Sequence, residues 1–110
     1  MFLENFGDGW KSKFEYKINL LLKHFPEVVI ENIIRYQGML RINARALDKD
    51  IQYLVNCVAY KIERESATTC EACGANAKRV TDKTFLTEPK CLCWKCYAIE
   101  IDSMELRSNK

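Results

Sequence analysis

Six cysteines occur in 110 residues, and five of them crowd between residues 70 and 96. No other feature of the sequence limits the fold as tightly. "TCEACG" (69–74) carries Cys70 and Cys73, and "CLCWKC" (91–96) carries Cys91, Cys93 and Cys96. Such clusters read as a metal site, a disulfide framework or a redox pair. The opening "MFLENFGDGWK" lacks the basic start and apolar run of a secretory signal, so the expected address is cytoplasmic. A reducing compartment does not sustain structural disulfides. The metal reading is therefore favoured over the other two.

A C-x-x-C pair in a tight turn presents both sulfurs on one side. The amides that follow can donate to them, and Gly74 suits the dihedral that this needs. Cys70 and Cys73 fit this pattern, as do Cys93 and Cys96. Two such knuckles joined by a hairpin-length spacer make a zinc ribbon, with four thiolates about one Zn²⁺. Cys91 is a fifth candidate for four places. Its spacing to Cys93 matches Cys70–Cys73 less well, so it reads as a small strand residue beside the site. Cys57 stands alone in a helical pattern. The single histidine, His24, reads as a polar residue near a helix end. Four thiolates close the coordination shell, which points to a structural metal rather than a catalytic one. "EPKCLC" superficially resembles part of a deaminase motif, but the required upstream ligand–x–Glu on a helix is missing.

Other elements follow from periodicity. Trp10, Phe14, Ile18, Leu21, Leu22 and Phe25 share one face of a helix expected from about Gly9 to Phe25, with Asp8 as N-cap and Pro26 as the stop. "EVVIENIIRYQGMLRINA" (27–44) reads as a β-hairpin turning at "YQG", with strands near 28–35 and 39–44. Its second strand alternates cleanly and its first does not. A helix over 48–67 is capped by Asp48 or Asp50 and carries an apolar stripe of Ile51, Leu54, Val55, Val58 and Ile62. "KRVTDKTFLTEPK" suits a short second hairpin turning near "TDKT", and "WKCYAIEIDSMELRS" a last helix. The expected fold is α+β, one domain over 1–110 with a zinc-ribbon subregion at 68–97. Such a small core gains from a metal staple. No apolar run is long enough to span a membrane.

The order of these pieces resembles a group of small zinc-ribbon proteins of bacteria and phages. The residues that carry the likeness are Gly7–Trp10 ("GDGW"), Gly38-Met39-Leu40-Arg41 ("GxLR"), Ser66 to Gly74 ("SxxTCExCG") and Leu92 to Cys96 ("LCxxC"). Tyr36-Gln37 departs from the Phe or Trp that precedes the glycine in that pattern. The resemblance implies a metal-bound α+β fold and a mobile-element origin, and it implies no activity.

Two surfaces remain as functional candidates. Tyr53, Cys57, Tyr60 and Arg64 fall on one arc of the 48–67 helix, away from its apolar stripe. Aromatics and arginine are enriched at protein interfaces, so Tyr53, Tyr60 and Arg64 are candidate partner-binding residues, unless the first helix or the ribbon covers them. Arg35, Arg41 and Arg45, with Lys78, Arg79 and Lys83, could instead make a basic patch for nucleic acid. The net charge of only +2 and the lack of long Lys/Arg runs weigh against that. No nucleophile–base set or phosphate-cradling loop stands out, so no enzyme is expected. The expected function is a protein-binding module, in its sharpest form a phage-borne inhibitor of a host nucleic-acid-processing machine such as a CRISPR nuclease, acting in the host cytoplasm. The alternative is a nucleic-acid-binding ribbon.

Overall fold

The computed structural model describes residues 2–81, 86 and 88–108, with the side chains of the last helix through Ser103. The fold is α+β. In chain order it comprises α1 (Asp8–His24), β1 (Val29–Tyr36), β2 (Met39–Arg45), α2 (Lys49–Ser66), β3 (Lys78–Val80), β4 (Lys90–Leu92) and α3 (Trp94–Ser108). The strands form two separate antiparallel hairpins, β1–β2 and β3–β4. No described helix is long and apolar enough to cross a membrane.

Helix α1 buries the residues that its periodicity selects, Trp10, Phe14, Ile18 and Leu21, and ends one residue before Phe25. Its N-cap is Gly7 rather than the expected Asp8. Asp8 lies in the first turn and pairs with Lys11 at 3.4 Å. No side-chain cap is needed there, because the leading amides of α1 find carbonyls of the cysteine segment.

The first hairpin turns through Gln37 and Gly38, both at positive φ (52° and 79°). Tyr36 faces Met39, so the loop has two residues. Turns of this kind match the right-handed twist of the strands they join. The broken alternation of β1 has a local cause. The register slips between Ile30 and Asn32, and Glu31 and Asn32 are both exposed. A bulge inserts one extra residue and resets which face the next side chain occupies. Beyond it, β2 lays Leu40 and Ile42 into the core and packs against α2.

Helix α2 is capped by Asp48, whose carboxylate accepts from the amides of Asp50 and Ile51 at 2.8 and 3.1 Å. At its other end Ser66, fully buried, accepts from the Leu40 amide at 2.7 Å and donates to the Glu63 carbonyl at 2.6 Å. This one hydroxyl fixes the helix end against β2. The apolar stripe needs one correction. Val55 and Ile62 are buried and Ile51 and Val58 half-buried, but Leu54 is 46% exposed. Leu54 precedes the buried Val55 by one position, which turns it about 100° round the helix and into solvent.

The main core joins Leu3, Trp10, Phe14, Ile18, Leu40, Ile42, Ile62 and Cys91, and a second cluster joins Leu21, Val28 and Val55. In the second hairpin β3 and β4 pair Arg79 with Cys91. The expected turn at "TDKT", past Thr81, lies outside the described residues, as does Lys83.

These burials separate two substitutions on one helix. Ile62→Ala should cost about 2–4 kcal/mol, because it opens a cavity in the core. Leu54→Ala should cost less than about 1 kcal/mol, since much of its side chain already meets water. Urea denaturation of the two variants checks this, and equal losses would mean that Leu54 is core.

Candidate metal centre

The first cysteine pair sits in a tight loop closed by backbone bonds. The Gly74 amide donates to the Cys70 carbonyl at 2.8 Å and the Cys70 amide to the Ala75 carbonyl at 2.7 Å. Gly74 has φ +84°, a region that side chains disfavour. A bridge between Thr69 and Asn76 closes the base of the loop. The second pair is built differently. Cys93 directly precedes α3 and Cys96 lies in its first turn. An α-helix start offers free amides and the positive end of the helix dipole, both favourable to thiolate. The first turn of α3 holds no acidic residue to oppose this.

The two pairs converge. The Sγ atoms of Cys70, Cys73, Cys93 and Cys96 all lie within 4.8 Å of one another, and this group can hold a metal ion. The Cys73 and Cys93 sulfurs are 3.7 Å apart. Thiolates about 2.3 Å from a tetrahedral ion stand about 3.8 Å from each other, so the spacing fits. Cys70 is buried, Cys93 and Cys96 are half-buried and Cys73 is exposed, which puts the centre at the protein surface.

Crowding spreads the acidities of these thiols. Cys93 is pulled down to about 7, first by the backbone amide of Cys96 and then by the Cys96 thiol. Cys96 is pushed above the usual thiol range by desolvation and then by Cys93 and Cys70. Cys73 is also raised: the Ala75 amide acts to lower it, but Cys70 and Cys93 outweigh that amide. A bound cation would relieve the repulsion among four thiolates at once.

Cys91 stands outside the group. It is fully buried in the main core, and its thiol donates to the Ala67 carbonyl at 3.3 Å. Burial, and then the neighbouring Cys70, push it up to about 11. A thiol held neutral in an apolar setting suits a packing residue, as its spacing suggested. Cys57 is exposed on α2, and His24 is exposed at the end of α1.

Glu71, inside the first C-x-x-C, is the residue that sequence reasoning missed. It is only 6% exposed. Its amide donates to the Cys91 carbonyl at 2.9 Å, which ties the knuckle to β4. Its carbonyl accepts from the Trp10 amide at 3.2 Å, and its carboxylate accepts from the Gly7 amide at 3.2 Å. Arg35 of β1 grips the same carboxylate with two nitrogens, Nε at 2.7 Å and Nη2. Arg35 also reaches Glu88 at 2.8 Å and covers the Phe6 ring. Glu71 is the first cause of the raised Arg35 pKa.

"GDGW" acquires its meaning here. The Gly9 amide donates to Ala72 and the Trp10 indole to the Thr69 carbonyl, at 3.1 and 2.9 Å. The backbones approach so closely that a Cβ on Gly9 would stand 2.2 Å from both the Cys70 carbonyl oxygen and the Gly74 nitrogen. The start of α1 is thus docked against the knuckle. A glycine-then-tryptophan pair followed by a lone Glu within C-x-x-C was the available signal.

The other candidate residues separate. Tyr53 (69% exposed), Tyr60 (60%), Cys57 and Arg64 lie uncovered on α2, with the Arg64 guanidinium 5.7 Å from the Tyr60 ring centre. The arginines do not form one free basic patch. Arg35 is held by Glu71 and Glu88, Arg41 by Glu63 at 3.0 Å, and Arg45 stands 3.9 Å from Glu31. Lys78 and Arg79 are exposed on β3, where Arg79 donates to the Gln37 carbonyl at 3.3 Å.

Fold and site together define a small α+β protein built around a four-cysteine centre capable of holding a metal ion. No protein-family model, curated protein or solved structure matches the chain.

The geometry generates two expectations. Cys70→Ser, Cys73→Ser, Cys93→Ser and Cys96→Ser should each lose bound metal, while Cys91→Ser and Cys57→Ser keep it; elemental analysis of the purified variants checks this. Binding to thiols releases protons, so acid competes and metal retention should fall as pH drops. The second expectation concerns docking. Gly9→Ala should lower the melting temperature and weaken metal retention together, because its Cβ has no room. Glu71→Ala should cost about 2–4 kcal/mol by leaving the Gly7 amide unpaired and Arg35 with Glu88 alone. A wild-type melting curve for Gly9→Ala would refute the docking account.

Proposed function

We propose that this chain is a non-enzymatic protein-binding module stabilised by one structural Zn²⁺. The identity of the metal follows from donor chemistry: four thiolates with tetrahedral spacing suit zinc. A shell filled by four sulfurs leaves no position for a reacting water, which supports a structural role.

One observation carries the binding role. Two large aromatics, Tyr53 and Tyr60, stand mostly in water on a well-capped helix, beside Arg64. Rigid aromatics with arginine are the groups that dominate protein contacts when desolvated. The fold offers such a surface on a scaffold whose own core is satisfied elsewhere.

The charge pattern favours a protein over nucleic acid as partner. Arg35 and Arg41 are engaged with carboxylates of this chain, and Arg45 has Glu31 nearby. Phosphate recognition needs cations free to displace counterions. The resemblance to phage and bacterial zinc-ribbon proteins narrows the proposal to an inhibitor of a host defence nuclease, working in the host cytoplasm. That narrower form rests on the order of sequence motifs alone.

Tyr60→Ala combined with Arg64→Glu should abolish capture of the partner from host extract, with metal content and melting temperature unchanged. Losing two such anchors should cost roughly 2–4 kcal/mol or more of binding. Lys78→Glu with Arg79→Glu should leave capture intact. The reverse pattern, together with salt-dependent binding to plain DNA or RNA, would replace this reading with the nucleic-acid one.

A further inference from the structure

Between α1 and α2 runs an open apolar groove of about 310 Å³, lined by Leu20, Leu21, Phe25, Val58 and Ile62. Its α1 wall presents exposed carbon: Leu20 is 46% exposed. A cavity of about 150 Å³ admits a benzene, so this groove has room for about two such groups. Two anchors one helical turn apart lie about 6 Å from each other, which is the spacing that a single short groove can seat.

The rim is basic on both walls. Lys17 and His24 stand on the α1 side and Lys61 on the α2 side. Lys17 is paired with Glu65 at 2.7 Å. Lys13 and Lys61 also act on Glu65, whose pKa is lowered first by Lys17 and further by both. Glu65 offsets one of the two lysines that line the groove, Lys17 and Lys61, and leaves the rim with net positive charge. At its Lys61 end the groove adjoins a polar hollow lined by Tyr60, Arg64, Glu65 and Thr68.

We infer that this groove binds an acidic amphipathic helix of a partner protein, with apolar side chains at i and i+4 seated on Leu20, Phe25, Val58 and Ile62 and carboxylates on both flanks meeting Lys17 and Lys61. The inference deepens the protein-binding reading and rests on it, since the same contact continues onto Tyr60 and Arg64. Helix-in-groove recognition uses this spacing of anchors. Cations on both walls select an occupant that is acidic along two edges. An acyl chain with one terminal carboxylate would satisfy only one wall.

The test uses the metal-loaded protein labelled for amide NMR. Four probes are added: a helix-forming peptide of about 16 residues, long enough to hold helix alone, with a leucine stripe flanked by Glu; the same stripe flanked by Lys; a Glu-flanked alanine stripe; and dodecanoate. The Glu-flanked leucine peptide should shift the amides of Leu20, Phe25, Val58 and Ile62. The other two peptides should bind about tenfold more weakly, the Lys-flanked one because rim charges select by sign. Leu20→Glu should remove binding, and Lys61→Glu should move the preference toward the Lys-flanked peptide. Absence of groove shifts with every peptide, equal binding of both leucine peptides, shifts with dodecanoate alone, or unchanged binding by Leu20→Glu would each overturn the inference. These readouts need no host partner. A failure here with partner capture still dependent on Tyr60 and Arg64 would reject the groove and keep the module.

Discussion

A single buried carboxylate connects the parts of this protein. Glu71 lies inside the first metal knuckle and is held by the start of α1, by Arg35 of β1 and by the strand that leads to the second cysteine pair. The amides of Gly9 and Trp10 would be orphans at any helix start. Here the carbonyls of Ala72 and Glu71 take them. Helix, hairpin and knuckle therefore share a small set of hydrogen bonds, each with little slack. The candidate metal centre is consequently more than a clasp on residues 70–96. Its first loop is the surface on which α1 begins, and α1 carries the largest side chains of the core. Metal binding and folding should be linked across the whole described chain.

The same economy governs charge. With 17 basic and 15 acidic residues the chain is nearly balanced, and several pairs join different elements. Arg35 reaches Glu71 and Glu88, Arg41 reaches Glu63, Lys17 reaches Glu65 and Lys90 reaches Glu100. Arg41 also lies over the Tyr36 ring at 3.7 Å. Exposed pairs of this kind contribute little singly. The Arg35–Glu71 pair matters more, because removing Arg35 leaves the buried Glu71 carboxylate without a cation. What these pairs leave over is informative. The uncompensated features on α2 are aromatic and apolar, and Lys17 and Lys61 line the groove that α2 shares with α1.

Much of the architecture was legible because it follows local rules. Helix spacing located α1 and α2 within a residue or two, "YQG" located the turn, and C-x-x-C spacing chose Cys70, Cys73, Cys93 and Cys96 over Cys91 and Cys57. These are short-range patterns, and backbone geometry enforces them within a few residues. The failures share the opposite property. Asp8 looked like a cap, but carbonyls more than sixty positions away do that work. Leu54 fitted a helical stripe, but which arc of α2 is covered depends on the elements that pack against it. Glu71 stood in the "TCExCG" motif between two cysteines, but nothing local told that it would be buried against Arg35 and the start of α1.

The sequence alone determined the order of helices and hairpins, the four-thiol donor set and the identity of most core residues, since hydrophobic period and ligand spacing are properties of neighbouring positions. Tertiary structure decided three further matters. It buried Glu71 with Arg35 beneath the start of α1, left Tyr53, Tyr60 and Arg64 uncovered, and opened an apolar groove rimmed by lysines. Each of these depends on the distance between elements far apart in the chain. That distance is set by the packing of whole faces and by the few close backbone contacts, such as Gly9 against Cys70, that leave no room for adjustment.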